Sequence, residues 1–209
     1  MTVTCVLVSE GTSDRCIQNI ARLLIEEMDP NLAIEFQPDH GSDLSNPPGA
    51  IVNSIRNAID LYEPDLILVH RDSDNTDLAK RKQEIDDALR QLPLPPLTQA
   101  VRVIPVKKTE AWLLADRAAI LRVLSLDQFD SEVWAHYPKN PEEVEAKGRL
   151  RKILEDSRRI AGWRPKRTDF PNDRTRIGQE LKDLKSLRKL SSFQAFEEDL
   201  QNALNTFVA

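Results

Sequence analysis

The chain has 209 residues, which suits one domain, or one domain with an appendage, built around a sizeable hydrophobic core. Its formal net charge is −5, and no stretch approaches the roughly 20 consecutive apolar residues of a membrane span. The N-terminus also lacks the pattern of a signal peptide, so we predict a cytoplasmic protein that does not associate with membranes. The two cysteines, with no CxxC pair and no nearby histidine cluster, favour neither a disulfide nor a zinc site.

The first part of the sequence predicts strands that alternate with helices. The predicted elements are a strand at Val3–Val8, a helix with apolar positions from Ile17 to Met28, a weaker strand at Ala33–Phe36, a helix marked by Ile51, Ile55 and Ile59, and a buried strand at Leu66–Val69. A polar loop rich in helix breakers separates the second strand from the second helix. Two helices between three strands imply parallel crossover connections.

The rest of the sequence adds one more strand and then only helices. A third helix between Leu78 and Leu92 is followed by a strand at Val101–Val106, which turns into a helix near Glu110. Helical patterns follow at residues 119–124, near 134, and at 141–160, 177–187 and 193–207. We therefore predict an α/β fold with a parallel sheet of about four strands between helices, in residues 1–125, and a helical C-terminal extension packed on it, in residues 126–209.

Acidic residues follow two of the predicted strands directly. Asp72 and Asp74 come where the buried run ending at Val69 stops, and Glu10 follows the first strand. Ligands of open α/β sheets bind at the carboxyl ends of the strands, and carboxylates favour Mg²⁺ or Mn²⁺ over zinc. We predict a divalent metal site of Glu10, Asp72 and Asp74. Asp14, one helical turn beyond Glu10, faces the same rim or is simply an acid in the first turn of a helix.

Two further residues at the exit of the fourth strand are candidates for chemistry. Lys108, with Lys107 beside it, can contact phosphate, and Glu110 can serve as a further metal ligand or a general base. The ordinary alternatives are exposed lysines and a first-turn acid. His70 is better explained as a strand-end side chain than as a catalytic base.

A second interpretation of the Asp72 stretch remains open. Asp72-Ser-Asp-Asn-Thr76 fits the DxDxT signature of haloacid-dehalogenase-type phosphatases, in which the first aspartate is the nucleophile. Those enzymes normally open with this strand and later supply a paired-aspartate motif. Here two crossover units precede the motif, and nothing later resembles GDxxxD, which disfavours the phosphatase.

Charge is distributed unevenly along the chain. Residues 147–190 contain 15 basic and 6 acidic side chains, whereas the remainder is acidic. Within this region, the basic segment 147–167 interleaves arginines and lysines with Trp163, which suits a phosphate backbone and a stacking surface. A solvated helix face with exposed arginines explains the same pattern, so both interpretations stay open.

The motifs resemble a known family. Residues 8–14 (VSEGTSD) and 68–74 (LVHRDSD) resemble the two signatures of the Toprim fold, a strand-end Glu-Gly and a later DxD. The EGxxD form is similar to the overcoming-lysogenization-defect (OLD) nucleases, and residues 108–116 (KTEAWLLAD) are similar to small bacterial proteins of domain of unknown function 4276. The resemblance covers roughly the first 120 residues.

This resemblance implies a compact parallel sheet between helices, with Mg²⁺ held by Glu10, Asp72 and Asp74, and with Asp14 as an additional ligand. It also implies action on nucleic-acid phosphodiesters, beside a separate ATPase in defence against phage. The chain departs from relatives that carry their own ATPase, a topoisomerase tyrosine or a zinc module.

We therefore expect a Mg²⁺-dependent nuclease, or a nuclease subunit, acting on DNA or RNA. A non-catalytic partner or nucleic-acid-binding module with a degenerate site is the main alternative, and the phosphatase is a less favoured one. The sequence gives no indication of the oligomeric state.

Overall fold

A four-stranded parallel sheet forms the centre of the molecule in the computed structural model, which describes residues 2–9, 12–38, 50–74, 76–163 and 169–208. The strands are β1 (Thr2–Val8), β2 (Ala33–Phe36), β3 (Leu66–His70) and β4 (Gln99–Val103). Their order is β2-β1-β3-β4, and every pair is parallel. The predicted fold class, a parallel sheet of four strands between helices followed by a helical C-terminal region, is confirmed.

Nine α-helices are described. They are α1 (Cys16–Met28), α2 (Ala50–Tyr62), α3 (Leu78–Arg90), α4 (Glu110–Ala115), α5 (Arg117–Leu124), α6 (Ser131–Ala135), α7 (Ala146–Ile160), α8 (Asp169–Gln179) and α9 (Ser191–Val208). Short 3₁₀ helices lie at Thr12–Arg15, Pro141–Glu143 and Leu187–Lys189. Aspartates begin three of the α-helices: Asp77, Asp116 and Asp130 each accept a hydrogen bond from a free first-turn amide. Within the described part of the chain, no helix combines the length and apolar character needed to cross a bilayer.

Both faces of the sheet are covered, which explains why β3 is an uninterrupted apolar run. All five residues of β3 are buried. Alternate side chains pack on opposite faces: one face lies under α2 and α3, and the other under α1 and the helices that follow β4. A strand buried on both faces must end in polar residues at the rim, because the chain leaves the core there.

Aromatic packing joins the helix after β4 to the last helix. Trp112 of α4 is fully buried, and its ring lies 5.3 Å from that of Phe193 and 5.6 Å from that of Phe196, both on α9. Its indole N–H donates to Ser192 Oγ at 2.8 Å, so the polar end of this large side chain is satisfied. Helix α4, which begins at Glu110, is therefore packed against the C-terminal helix α9.

Helix α8 lies unusually close to α1. A Cβ atom at Gly178 would lie 2.7 Å from Cys16 Cβ and 2.9 Å from Cys16 Cα, closer than packed side chains approach each other. Only glycine permits this separation of the two helices. The approach carries Arg174, one turn earlier on α8, to the carboxyl edge of the sheet.

Two predicted boundaries were wrong. The helix predicted at residues 177–187 begins earlier, at Asp169, and ends at Gln179, where the guanidinium of Arg122 donates twice to the carbonyl of Glu180. The apolar residues Leu181, Leu184 and Leu187, which follow α8, are still buried. The apolar pattern therefore indicated which side chains are buried, but it did not indicate a helix there. Strand β4 ends at Val103, two residues before Pro105, whose carbonyl accepts from the amide of Ser73.

Candidate active site

The strand ends bring several sequence-predicted residues to one edge of the sheet. The segment after β3 carries Asp72 and Asp74, and the segment after β4 carries Lys108 and Glu110. Hydrogen bonds between the two segments hold them together: the amide of Asp74 donates to the carbonyl of Lys107 at 2.8 Å, and the amide of Lys107 donates to Ser73 Oγ at 2.7 Å. Glu10 lies outside the described residues, so its place at this edge stays a prediction.

One oxygen of Asp72 is fixed and the other is available. Its Oδ1 accepts from the amide of Thr109 at 2.8 Å and from the hydroxyl of Thr109 at 3.1 Å. The same oxygen lies 3.3 Å from His70 Nε2. Among the described residues, the charged group that lies near its Oδ2 is the Lys108 ammonium, at 3.8 Å. The carboxylate is therefore held in one orientation, with a single oxygen facing the rim.

His70 is a buried cation between two aspartates. Its side chain has no exposure, and it lies 3.3 Å from Asp14 Oδ2 through Nδ1 and 3.3 Å from Asp72 Oδ1 through Nε2. Burial alone would lower the pKa of His70, but the two neighbouring carboxylates outweigh it and raise the pKa to about 10. His70 is therefore protonated at neutral pH, and it cannot accept a proton as a general base.

The two aspartates remain charged for the same reason. Burial acts to raise the pKa of Asp14 and of Asp72, but the positively charged His70 ring 3.3 Å from each carboxylate outweighs it, and both pKa values are lowered. The three residues form one ionised unit, in which His70 fixes the positions of both carboxylates. This agrees with the prediction that His70 is not a catalytic base, and it gives the residue a positioning role that the sequence did not reveal.

Arg174 adds a second buried cation from the C-terminal region. Its Nη2 donates to Asp14 Oδ1 at 2.9 Å, and its Nε lies 3.3 Å from Glu110 Oε1. Both oxygens of Asp14 are thus engaged inside the protein, one by His70 and one by Arg174. The assignment of Asp14 as a metal ligand stays a prediction, and in this arrangement it orients the histidine.

Glu110 is almost completely buried, with 1% exposure, and neither of its carboxyl oxygens accepts a hydrogen bond from the described residues. Burial raises its pKa, although the charge of Arg174 opposes the shift. A carboxyl group held this way, beside the charged Arg174, lies beneath the rim, and its role as a metal ligand or general base stays a prediction.

Lys108 lies between the two aspartates of the DxD stretch. Its Nζ is 2.5 Å from Asp74 Oδ1 and 3.8 Å from Asp72 Oδ2. Asp74 reaches this position from a left-handed backbone conformation, with a φ of 51°, which short polar side chains tolerate. The carboxylates of Asp72 and Asp74 therefore both face one positive charge.

Lys107, in contrast, points to another part of the molecule. Its Nζ donates to the backbone carbonyls of Glu143, at 3.0 Å, and Val144, at 3.4 Å. Of the two lysines that the sequence offered as phosphate contacts, Lys108 is the one placed beside the acids.

The chemistry of these donors fits a hard divalent cation, but the described residues do not complete a site. They contain no group of three or more His, Cys, Asp or Glu side chains that could hold a metal ion. Asp72 Oδ2 and an oxygen of Asp74 supply two carboxylate donors, the type that Mg²⁺ prefers, usually with retained waters. The third predicted ligand, Glu10, is among the residues without a description.

Thr109 and Arg174 are the residues that the sequence analysis missed. Thr109 stands inside the quoted stretch KTEAWLLAD, and its position between Lys108 and Glu110 was the only signal. Arg174 lies 160 positions from Asp14 along the chain, so no local pattern could link them.

Comparisons with protein-family models, with curated proteins and with solved structures found no match for this chain. The family resemblance of the sequence therefore stays a prediction.

Proposed function

We propose that the chain is a Mg²⁺- or Mn²⁺-dependent nuclease, or a nuclease subunit, that cleaves DNA or RNA phosphodiesters. The observation that carries the proposal is the single ammonium group shared by Asp72 and Asp74 at the carboxyl edge of the sheet. These carboxylates are arranged to face one cation, and they belong to the DxD stretch that resembles the Toprim signature.

The side chains of the proposed site have different roles. Asp72, Asp74 and Glu10 would hold the cation, which when bound polarises a scissile phosphate and lowers the pKa of a water ligand. Thr109 and His70 hold Asp72 in place. Lys108, released from the carboxylates, would neutralise charge on the phosphate.

Glu110 and Arg174 form the second part of the proposed site. Glu110 has a raised pKa and no hydrogen-bond donor among the described residues, so it would hold or release a proton inside the site, beneath the rim. The charge of Arg174 restrains that shift.

A partner is also part of the proposal. The sequence contains no phosphate-binding P-loop. If the chain works with nucleotide hydrolysis, as the OLD-like resemblance implies, a separately encoded ATPase would supply it.

We expect the Asp72→Asn variant to lose nuclease activity by more than the about 10- to 100-fold that is typical of residues that merely orient a metal ligand. The amide keeps an oxygen for the Thr109 contacts but removes the negative charge that faces the cation. Activity is measured as nicking of supercoiled plasmid and cleavage of labelled DNA and RNA oligonucleotides, with Mg²⁺, Mn²⁺ or EDTA.

Asp77→Asn is the matched control. Asp77 is exposed and begins α3 by accepting from the amide of Ala79, a role that asparagine fills equally well. This variant should retain wild-type activity. Equal cleavage by the Asp72→Asn and wild-type proteins would show that the activity comes from elsewhere.

We expect Lys108→Met to bind divalent cations about tenfold more tightly than wild type while cleaving more slowly. The ammonium competes with the cation for Asp72 and Asp74, so its removal frees both carboxylates, but the phosphate then loses its neutralising charge. Isothermal titration calorimetry with Mg²⁺ and Mn²⁺ measures the affinity independently of activity.

Lys107→Met is the control for this experiment, because the Lys107 ammonium binds backbone carbonyls and not the acids. It should leave the divalent affinity unchanged. Unchanged or weaker affinity in Lys108→Met would contradict a cation site shared by Asp72 and Asp74.

One observation favours the alternative of a non-catalytic binding module. The Lys108 ammonium lies within 4 Å of both carboxylates and offsets part of their charge, as it would in a degenerate site. In that case wild type would show neither divalent binding by calorimetry nor cleavage of any nucleic acid. Hydrolysis of phosphate monoesters, with Asp72 becoming phosphorylated, would instead support the phosphatase.

A further inference from the structure

A cleft of about 660 Å³ lies at the far end of α4 from the acidic site, a volume typical of ligand-binding pockets. The end of α4, the start of α5, α6 with the turn after it, and the segment before α9 enclose it. The side chains relevant to binding are Arg117, Trp134, Tyr137, Lys139, Ser186 and Lys189.

One wall of the cleft is aromatic and fixed in position. Trp134 is 48% exposed although it is among the largest side chains, and its ring stacks on Tyr137 at 5.5 Å. The hydroxyl of Tyr137 donates to the carbonyl of Leu114 at the end of α4. This hydrogen bond fixes Tyr137, which in turn supports the ring of Trp134, so that the exposed part of Trp134 forms an apolar surface in the cleft.

Arg117 lies over the ring of Trp134. Its guanidinium carbon is 4.5 Å from the centroid of that ring, a cation–π contact. Arg117 has no hydrogen bond or ion pair with any described residue, so its N–H donors can be used by a ligand. An oriented guanidinium fork with free donors is suited to bind phosphate in a bidentate manner.

The cleft is positively charged in an acidic protein. Lys139 and Lys189 are exposed and, like Arg117, have no acidic partner among the described residues. The acid that lines the cleft, Asp116, is buried and accepts from the amide of Ala119 at the start of α5. Since the whole chain has a net charge of −5, these cations mark the cleft as a place where a polyanion can approach.

The cleft and the acidic site lie at opposite ends of one short helix. The buried helix α4 runs from Glu110 at the site to Ala115 at the cleft, an axial length of about 9 Å. Pro141 lines the cleft, and the carbonyls of Glu143 and Val144 just beyond it bind the Lys107 ammonium, next to Lys108.

We propose that this cleft binds a single-stranded segment of the substrate, outside the position where it is cut. The inference rests on the proposed nuclease function and names its substrate as single-stranded nucleic acid. The three cations come from three different elements, which suits a backbone with several phosphates better than one free phosphate. The exposed part of Trp134, beside the Arg117 guanidinium, suits contact with bases that are not paired in a duplex.

The test is fluorescence anisotropy with a labelled oligothymidylate in EDTA, where no cleavage occurs. We expect the triple variant Arg117→Ala/Lys139→Ala/Lys189→Ala to bind more weakly, with a slope of log K against log salt that is smaller in magnitude by about 0.7 per cation removed. Trp134→Ala should weaken binding about tenfold, and Trp134→Phe should weaken it less, because a ring is retained.

The matched control is the triple variant Lys80→Ala/Lys82→Ala/Lys182→Ala, which removes the same charge from exposed positions outside the cleft. It should bind nearly as wild type does. If the control and cleft variants weaken binding equally, or if wild type does not bind the oligonucleotide, the proposal is wrong.

Two other ligands, thymidine monophosphate and a duplex, distinguish the remaining explanations for binding. Equal affinity for thymidine monophosphate would assign the cleft to a free nucleotide, and equal affinity for duplex would exclude a single-strand site, so either result overturns the proposal. Because these measurements need no metal, a protein that binds through the cleft but never cleaves would contradict the nuclease function and leave the cleft in place.

Discussion

Replacing Asp173 by alanine is expected to lower the free energy of unfolding by about 3–5 kcal/mol. Asp173 on α8 and Arg158 on α7 form two hydrogen bonds of 2.6 Å each, and only 2% and 8% of the two residues are exposed. Without the Asp173 carboxylate, the buried guanidinium of Arg158 loses the negatively charged acceptor of these two hydrogen bonds. Urea denaturation followed by circular dichroism measures the loss, which is a large share of the 5–15 kcal/mol typical of a whole domain.

Two further variants distinguish the loss of the Arg158–Asp173 ion pair from the general effect of removing a charge. Asp183→Ala removes an aspartate whose ion pair with Lys185 is largely exposed, and it should change stability by at most about 1 kcal/mol. The double variant Arg158→Met/Asp173→Leu replaces both charges by apolar groups and should be close to wild type. A loss in Asp173→Ala as small as that of Asp183→Ala would show that the pair does not anchor α8.

The pair also shows what the charge pattern could and could not reveal. Arg158 belongs to the basic segment 147–167, for which the sequence left a solvated helix face and an anionic partner equally open. On α7 one arginine of that segment is buried and paired, while Arg151 and Arg159 are exposed. The number of basic residues does not distinguish a buried, paired arginine from an exposed one, because both kinds occur at helical spacing in the sequence. Residues 164–168 lie outside the described part of the chain.

The central sheet was predictable because its signal is local. The run at residues 66–69 is apolar at every position, and this pattern arises where both faces of a strand are buried. The acids that follow it lie at the rim, since the chain must leave the core there. The meeting of Asp72 with Lys108 was therefore inferable from the order of strands and turns alone.

The interior of the site was not predictable, because it depends on packing between distant parts of the chain. Arg174 reaches Asp14 because Gly178 lets α8 approach α1, and neither residue stands out in the sequence. The raised pKa of His70 likewise arises from two carboxylates that come from different strand ends. An apolar pattern that repeats every two residues in a strand, or about every four in a helix, indicates which face of that element is buried. The contacts of this site depend instead on the relative positions of three elements.

Replacing Arg174 by methionine is expected to destabilise the protein by about 3–5 kcal/mol at pH 8 and by less at pH 5. The guanidinium is 6% exposed and is shared by Asp14 and Glu110, so its removal leaves buried negative charge with less compensation. Stability is measured by urea denaturation at both pH values. Arg176→Met, which removes an exposed arginine of the same helix, should have a small effect at either pH.

The direction of the pH effect follows from Glu110. Burial raises its pKa in the folded protein, so folding favours the protonated form, and stability falls as the pH rises above the usual range of a carboxyl group. Arg174 opposes that rise, and without it Glu110 should remain protonated to a higher pH, at a cost that grows between pH 5 and pH 8. Adding Glu110→Gln to Arg174→Met removes this titrating group, so the double variant should be more stable than the single variant at pH 8 and should lose the part of the pH dependence that comes from Glu110. The raised pKa of His70 makes stability fall above pH 6.5 in wild type and variants alike. If the single variant is equally destabilised at both pH values, Glu110 does not carry the charge that Arg174 compensates, and the cost must come from Asp14 alone.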